Sequence, residues 1–193
     1  MGRIVKVVIA RHGKTGKAAV DAARMLVETG KEDCIAASNL LSEITFQTAI
    51  SSTAVRAIET TWLLLGNTPP REIITLKELY EHPDEDGRAR CDKLFVELGY
   101  APLSKYLEKE DGKILLEIGK NGKNAVQNAI GPFYENTLIV SHAVIVNALG
   151  LSLFPDSPQV ERIMLNHSFL EAGMVEIEVE VYSQEVVGAK VIN

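Results

Sequence analysis

The sequence predicts an α/β fold: a three-layer α/β/α sandwich with a mostly parallel central sheet and a small helical cap insertion. Three observations predict it. Short apolar segments alternate with segments of helical spacing along most of the 193 residues. The first segment, Ile4-Val5-Lys6-Val7-Val8-Ile9-Ala10, is nearly continuous and β-branched, as expected of a parallel strand covered on both faces. One stretch, about 82–128, interrupts the alternation with charged, amphipathic helical pieces.

Taken in order, residues 4–10 form the first strand. Val20, Ala23 and Val27 repeat at helical spacing, so 16–29 reads as a helix stopped by Gly30. Residues 48–51 are a short strand. Ser52 can cap a helix that runs to about Leu65, with Val55, Ile58, Trp62 and Leu65 on one face and Gly66 as its stop. Pro69-Pro70 marks a loop, and Ile73, Ile74 and Leu76 suggest another strand. Pro83 to Gly87 reads as the turn into the insertion, whose helices cover 91–98 and begin again at Leu103. The alternation resumes with a buried strand over 137–141 and a helix over 143–149. Residues 174–181 alternate apolar and polar residues, the pattern of an edge-type strand.

The bulk numbers fit one domain with a modest insertion: hydrophobic residues make up 46 % and charged residues 24 %. No apolar run approaches bilayer length, so no membrane partner is expected. The N-terminal run is short and is followed by Arg-His-Gly rather than a small-residue cleavage site, so it reads as a strand and not a signal peptide. Cys34 and Cys91 form no Cys-x-x-Cys pair, and a reducing cytoplasm is the simplest location. The formal charge is −6 with no basic stripe, which argues against nucleic acid. An anionic substrate would have to be drawn by a few local cations, against the net field.

Three fragments fall where predicted strands end and helices begin, the edge at which such folds bind ligands. Arg11-His12-Gly13 offers a planar guanidinium fork for phosphate oxygens, a ring nitrogen that can attack when neutral, and a glycine for a sharp turn. In Ser51-Ser52-Thr53-Ala54-Val55-Arg56-Ala57-Ile58-Glu59-Thr60, Arg56 sits near a helix N-terminus, where the macrodipole disfavours it. That conflict suggests an anion shared with Arg11. Ser141-His142 supplies a second imidazole that can donate to a phosphate oxygen. Each fragment alone is an ordinary loop or a solvated face. Together they place two arginines and two histidines at one edge of one sheet.

In these fragments, with Lys14 and Thr15 after Gly13, the chain resembles the histidine phosphatase superfamily, also called the phosphoglycerate mutase-like family. The resemblance spans nearly the whole chain, and least of it lies in the insertion. It implies that His12 is a nucleophile that becomes phosphorylated, and that Arg11, Arg56 and His142 complete the phosphate pocket. It also implies an acid within a Leu-x-Glu pattern after the third strand. Leu76-Lys77-Glu78 matches and makes Glu78 the candidate general acid, with Glu81 and Asp84 as rivals.

The roles also follow from chemistry. Two guanidinium groups can hold several phosphoryl oxygens and disfavour a protonated imidazole beside them. The other ring nitrogen of His12 should donate to a backbone carbonyl and so fix the tautomer. The leaving oxygen needs a proton, and water would then attack the phosphohistidine in a two-step scheme that calls for no metal or other cofactor. His82 and His167 have no matching partners and read as surface or structural.

Mutases of the family carry a Trp-Asn pair shortly after Arg-His-Gly, and the stretch Lys14-Thr15-Gly16-Lys17-Ala18-Ala19 has neither residue. The expected activity is therefore that of a metal-independent phosphatase acting on a small phosphorylated metabolite, a phosphoric monoester hydrolase of the histidine acid type. The alternatives are a mutase-type phosphotransferase, a phosphohistidine protein phosphatase, and a catalytically inactive phospho-ligand binding protein. A homodimer is left open. Gly13-Lys14-Thr15 also ends like a P-loop, but the first glycine of that motif would fall at Val8, inside the first strand. Substrate specificity is expected in the insertion around Arg88, Arg90 and Lys93.

Overall fold

In a computed structural model, which describes residues 2–66, 70, 72–80, 82 and 84–192, one sheet is built from β1 (Ile4–Arg11), β2 (Thr48–Ser52), β3 (Ile73–Leu76), β4 (Thr137–Ser141), β5 (Met174–Glu180) and β6 (Val186–Ile192). Their spatial order is β3-β2-β4-β1-β5-β6. Glu81, Pro69 and Pro83 lie outside the described residues. β1 to β4 run parallel, which brings the C-terminal ends of all four to one edge. β5 pairs antiparallel with β1, and β6 antiparallel with β5.

The sheet is therefore mixed rather than mostly parallel. The reason is local: the chain re-enters the sheet at the C-terminal end of β1, where Arg11 N donates to Gly173 O at 3.0 Å and Met174 pairs with Ala10. A strand starting there can only run back along β1. A short turn then returns it as β6, which forces a second antiparallel pairing.

β5 is accordingly not the edge strand its alternation suggests. The polar half of that alternation misleads because Glu176 is buried, ion-paired to Lys6 at 3.0 Å and Lys190 at 3.2 Å. A carboxylate with two ammonium partners can occupy a covered position that an unpaired one could not. The edge on that side is β6, which has no separate signal in the sequence.

Helices cover both faces, as the β-branched β1 requires. Val5, Val7 and Ile9 pack with Val146, Leu149 and Met164 from α6 (Ala143–Leu153) and α7 (Pro158–Asn166). Val8 and Ala10, on the opposite face, pack with Leu41, Ala57 and Leu64, the latter two from α2 (Val55–Leu65). The insertion is helical as expected: α3 (Glu85–Leu98), α4 (Leu103–Leu107) and α5 (Ile114–Ile130). Leu94, Leu103, Tyr106 and Ile118 cluster on Val144 and Ala148 of α6, so the cap rests on the helix that starts at His142. The far half of α5 belongs to the sandwich layer, since Val126 joins the core under β1. Among the described residues no helix is long and apolar enough to cross a membrane.

Two helical expectations are corrected. Residues 16–29 are not a helix. Thr15 and Leu26 form an antiparallel bridge, Gly16 N donates to Met25 O, and only a 3-10 turn, Asp21–Ala23, lies between. The first helix, α1 (Glu28–Asn39), begins just where the expected one should stop. Gly30 is inside it, and a Cβ there would sit 2.3 Å from Lys14 O. The glycine permits close packing of the helix on the returning chain; it does not end a helix. In α2 the predicted apolar face is not the buried one along its length: Trp62 is half exposed, and of the four only Leu65 reaches the core. The buried residues are Arg56, Ala57, Thr60, Thr61, Leu64 and Leu65, because small and hydroxylated residues let α2 pack close on β2, β4 and the turn after β1. Ser52 does not cap α2; its hydroxyl is engaged elsewhere.

Candidate active site

The Arg-His-Gly turn is fixed from both sides. His12 N donates to Ser141 O of β4 at 3.0 Å, and Gly13 N donates to Thr60 Oγ1 of α2 at 3.0 Å. Thr60 in turn donates to Arg56 O at 2.7 Å. A Cβ on Gly13 would lie 2.6 Å from Cys34 Sγ and 2.9 Å from Gly30 O, so the turn is close-packed underneath.

The imidazole of His12 is oriented as expected. Nδ1 donates to Gly13 O at 2.7 Å, which leaves the Nε2 lone pair pointing into the site. That lone pair accepts from Arg56 Nε at 3.2 Å. Burial first, then the charges of Arg56, Arg11 and Arg24, pull the ring from its ordinary 6.5 down to about 3. Desolvation outweighs the guanidinium charges, and both act in the expected direction: the ring is neutral.

Arg11, His12, Arg56 and His142 all line one cavity of about 520 Å³. The His12 and His142 rings stand 4.9 Å apart. Among the described residues, two buried side-chain nitrogens have no protein partner: Arg11 Nε and His142 Nδ1. Both belong to this cavity, and buried groups of this kind are normally paired. Arg11 is otherwise held by Phe169 O at 2.9 Å and Glu171 Oε1 at 3.4 Å, with the Tyr100 ring 4.7 Å away.

Three site residues were not foreseen. Asp21 receives Arg56 Nη2 at 2.7 Å, Tyr80 Oη at 2.6 Å and Arg24 Nη1 at 3.0 Å. Partial burial would raise its carboxyl, but those hydrogen bonds win and hold it at about 2. It was hidden inside the stretch read as a helix. Tyr80 lies against the His142 ring at 4.8 Å, and burial and the Asp21 hydrogen bond push its phenol up to about 12. Glu171 is bonded by Tyr100 Oη at 2.7 Å. Partial burial opposes ionisation, yet Tyr100 and Arg11 hold it below the usual range. It sits in an irregular loop that carries no periodic signal.

Glu78 is not brought to this cavity. It lines a neighbouring cleft with Lys77, Asn121, Asn124 and Asn128. The cause is the 3-10 turn Lys77–Leu79, whose tight pitch sends Leu79 into the core and Tyr80 to the site, leaving Glu78 on the other side. Asp84, the described rival, caps α3 by accepting from Gly87 N at 2.8 Å and is not in the cavity wall. His82 is neither surface nor unpartnered: it is buried, with Asp84 Oδ2 at 2.8 Å and Glu117 Oε2 at 3.5 Å. His167 is structural, its ring edge-on to Phe169 at 4.7 Å. Of the insertion cations, Arg88 lines the cavity, whereas Arg90 is paired with Asp86 at 3.2 Å and Asp111 at 3.3 Å.

A family model for the histidine phosphatase superfamily (branch 1) matches residues 7–188. No curated protein sequence matches the chain. Solved structures do. A mycobacterial glucosyl-3-phosphoglycerate phosphatase is 16 % identical, with 98 % of this chain and 97 % of that one covered at a TM-score of 0.65. A phosphoserine phosphatase from Entamoeba histolytica, in complex with 3-phosphoglyceric acid, is 14 % identical, with coverage of 98 % and 95 % and a TM-score of 0.61. The protein histidine phosphatase SixA, complexed with tungstate, is 18 % identical, with coverage of 98 % and 95 % and a TM-score of 0.59. At these identities the likeness is one of fold.

Proposed function

Because the chain belongs to the histidine phosphatase superfamily, we propose that it is a metal-independent phosphatase that hydrolyses a small phosphorylated metabolite through a phosphohistidine at His12. One observation carries the reading: a neutral, oriented imidazole shares a cavity with two guanidinium groups and with two buried nitrogens left unpartnered. A phosphoryl group would complete them. Arg11 Nε and His142 Nδ1 would meet its oxygens, and the Arg56 guanidinium would move from the His12 lone pair to a third. His12 Nε2 then bonds to phosphorus as the bond to the leaving oxygen breaks, that oxygen taking its proton from water in the cavity. Water attacks the phosphohistidine and releases phosphate, restoring the ring. Beyond the phosphoryl pocket, α3 turns Arg88, Cys91, Asp92 and Phe95 toward the cavity at helical spacing. Such a walled space suits a small organic group better than a protein surface.

A second reading rests on the placement of Glu78. Asp21 and Glu171, the carboxyls paired to the site's arginines, are both held ionised. A leaving group that carries its own proton, such as the imidazole of phosphohistidine, needs less help from an acid than an alkoxide does. Parallel assays on p-nitrophenyl phosphate, a panel of alkyl phosphates and phosphohistidine, each with chelator, separate the two readings. Alkyl ester hydrolysis lost in His12→Ala supports the first. Cleavage of phosphohistidine alone would replace it with the second, and absence of all turnover would sink both.

A further inference from the structure

Resting on the phosphatase reading, we propose that Ser52 is a positioning residue whose hydroxyl fixes the tautomer of His142 and so presents an Nδ1–H to the phosphoryl oxygen. Ser52 ends β2 and is fully buried, with Oγ 2.7 Å from His142 Nε2. Either atom of that pair could be the donor. The surroundings decide which.

Ala54 N, which can only donate, approaches Ser52 Oγ at 3.4 Å. Ser51 directs its own hydroxyl to Ser52 O at 2.9 Å. Among the described residues, His142 Nε2 is therefore the acceptor left for the Ser52 proton. If Nε2 carried the ring proton instead, the hydroxyl proton would be buried with nowhere to go, a costly arrangement. A neutral imidazole has one N–H, so with Nε2 accepting, that N–H is on Nδ1. Burial first, then His12, Arg56 and Arg11, keep this ring neutral, so tautomer rather than charge is what must be controlled.

The Nδ1 atom is a buried nitrogen without a protein partner among the described residues. As an N–H it is a donor waiting for an oxyanion. As a bare lone pair it would repel one. The hydroxyl thus sets whether His142 assists or opposes phosphoryl transfer, without touching the substrate.

The test reads the tautomer directly. Protein labelled with ¹⁵N-histidine is compared by long-range ¹H–¹⁵N correlation with Ser52→Ala and Ser52→Thr, His142 being assigned by its loss in His142→Gln. The wild type should show Nδ1 protonated and Nε2 bare. Ser52→Ala should shift His142 toward the Nε2–H form and lower kcat/KM for p-nitrophenyl phosphate about 10- to 100-fold, less than the ~10²–10³-fold loss of an absent oxyanion donor. Ser52→Thr, which keeps the hydroxyl, should restore both. A wild-type ring protonated on Nε2 overturns the proposal, and that single spectrum decides even if the variants fail to fold. An unchanged tautomer in Ser52→Ala overturns it too, whatever the activity does. Nδ1 protonated in a wild type that cleaves no phosphate would instead discard the phosphatase reading and leave the tautomer assignment standing.

Discussion

Acidification should destabilise this chain through His12. In the unfolded chain His12 takes a proton near its ordinary 6.5, whereas in the folded chain it does so only near 3. Between those values only the unfolded state binds the proton, so stability falls as the pH drops. At ~1.4 kcal/mol per unit, the loss through His12 is roughly 2 kcal/mol by about pH 5 and approaches ~5 kcal/mol at the bottom of the window. His142, also held neutral by burial, acts in the same direction. Asp21 does not confuse the measurement, because its shift from 3.8 to about 2 costs stability only at lower pH. The assay is urea unfolding by far-ultraviolet circular dichroism at about pH 7.5 and about pH 5, with His12→Gln alongside. Glutamine has no proton to gain, so the variant should lose about 2 kcal/mol less than the wild type across that interval. Equal losses would refute the burial argument for His12.

Glu78→Gln should change kcat for p-nitrophenyl phosphate by less than about 3-fold, whereas a true general acid would cost ~10²–10⁴-fold; a loss of that size would return Glu78 to the site. Arg56→Lys should lower kcat/KM about 100-fold or more, because one ammonium cannot reproduce the fork that reaches Asp21 and His12 together; steady-state kinetics checks it. Gly30→Ala drives a methyl group into Lys14 O and should destabilise by about 1–3 kcal/mol, read as a fall in the midpoint of thermal unfolding.

The parts legible in the sequence were those set by short-range pattern. Ile4 to Ala10 and Thr137 to Ser141 announce covered strands by composition, and the residues just after them, Arg11, His12 and His142, are those gathered around the cavity. What stayed hidden depends on partners far along the chain. Glu176 looks solvent-facing until Lys6 and Lys190 are brought to it. Val20, Ala23 and Val27 keep a helical rhythm, but the bridge between Thr15 and Leu26 overrides it and delivers Asp21 to Arg56. Glu78 and Tyr80 are two residues apart, and the pitch of one 3-10 turn decides which faces the cavity. The family resemblance named the acid by its motif and had no access to that pitch.

One stretch of α2 acts as a ruler. Arg56 and Thr60 stand a single turn apart on the same rigid rod, the first donating to His12 Nε2 and the second accepting from the amide of Gly13. The spacing between the His12 ring and the Arg56 guanidinium is thereby set by the α-helix itself, not by any loop.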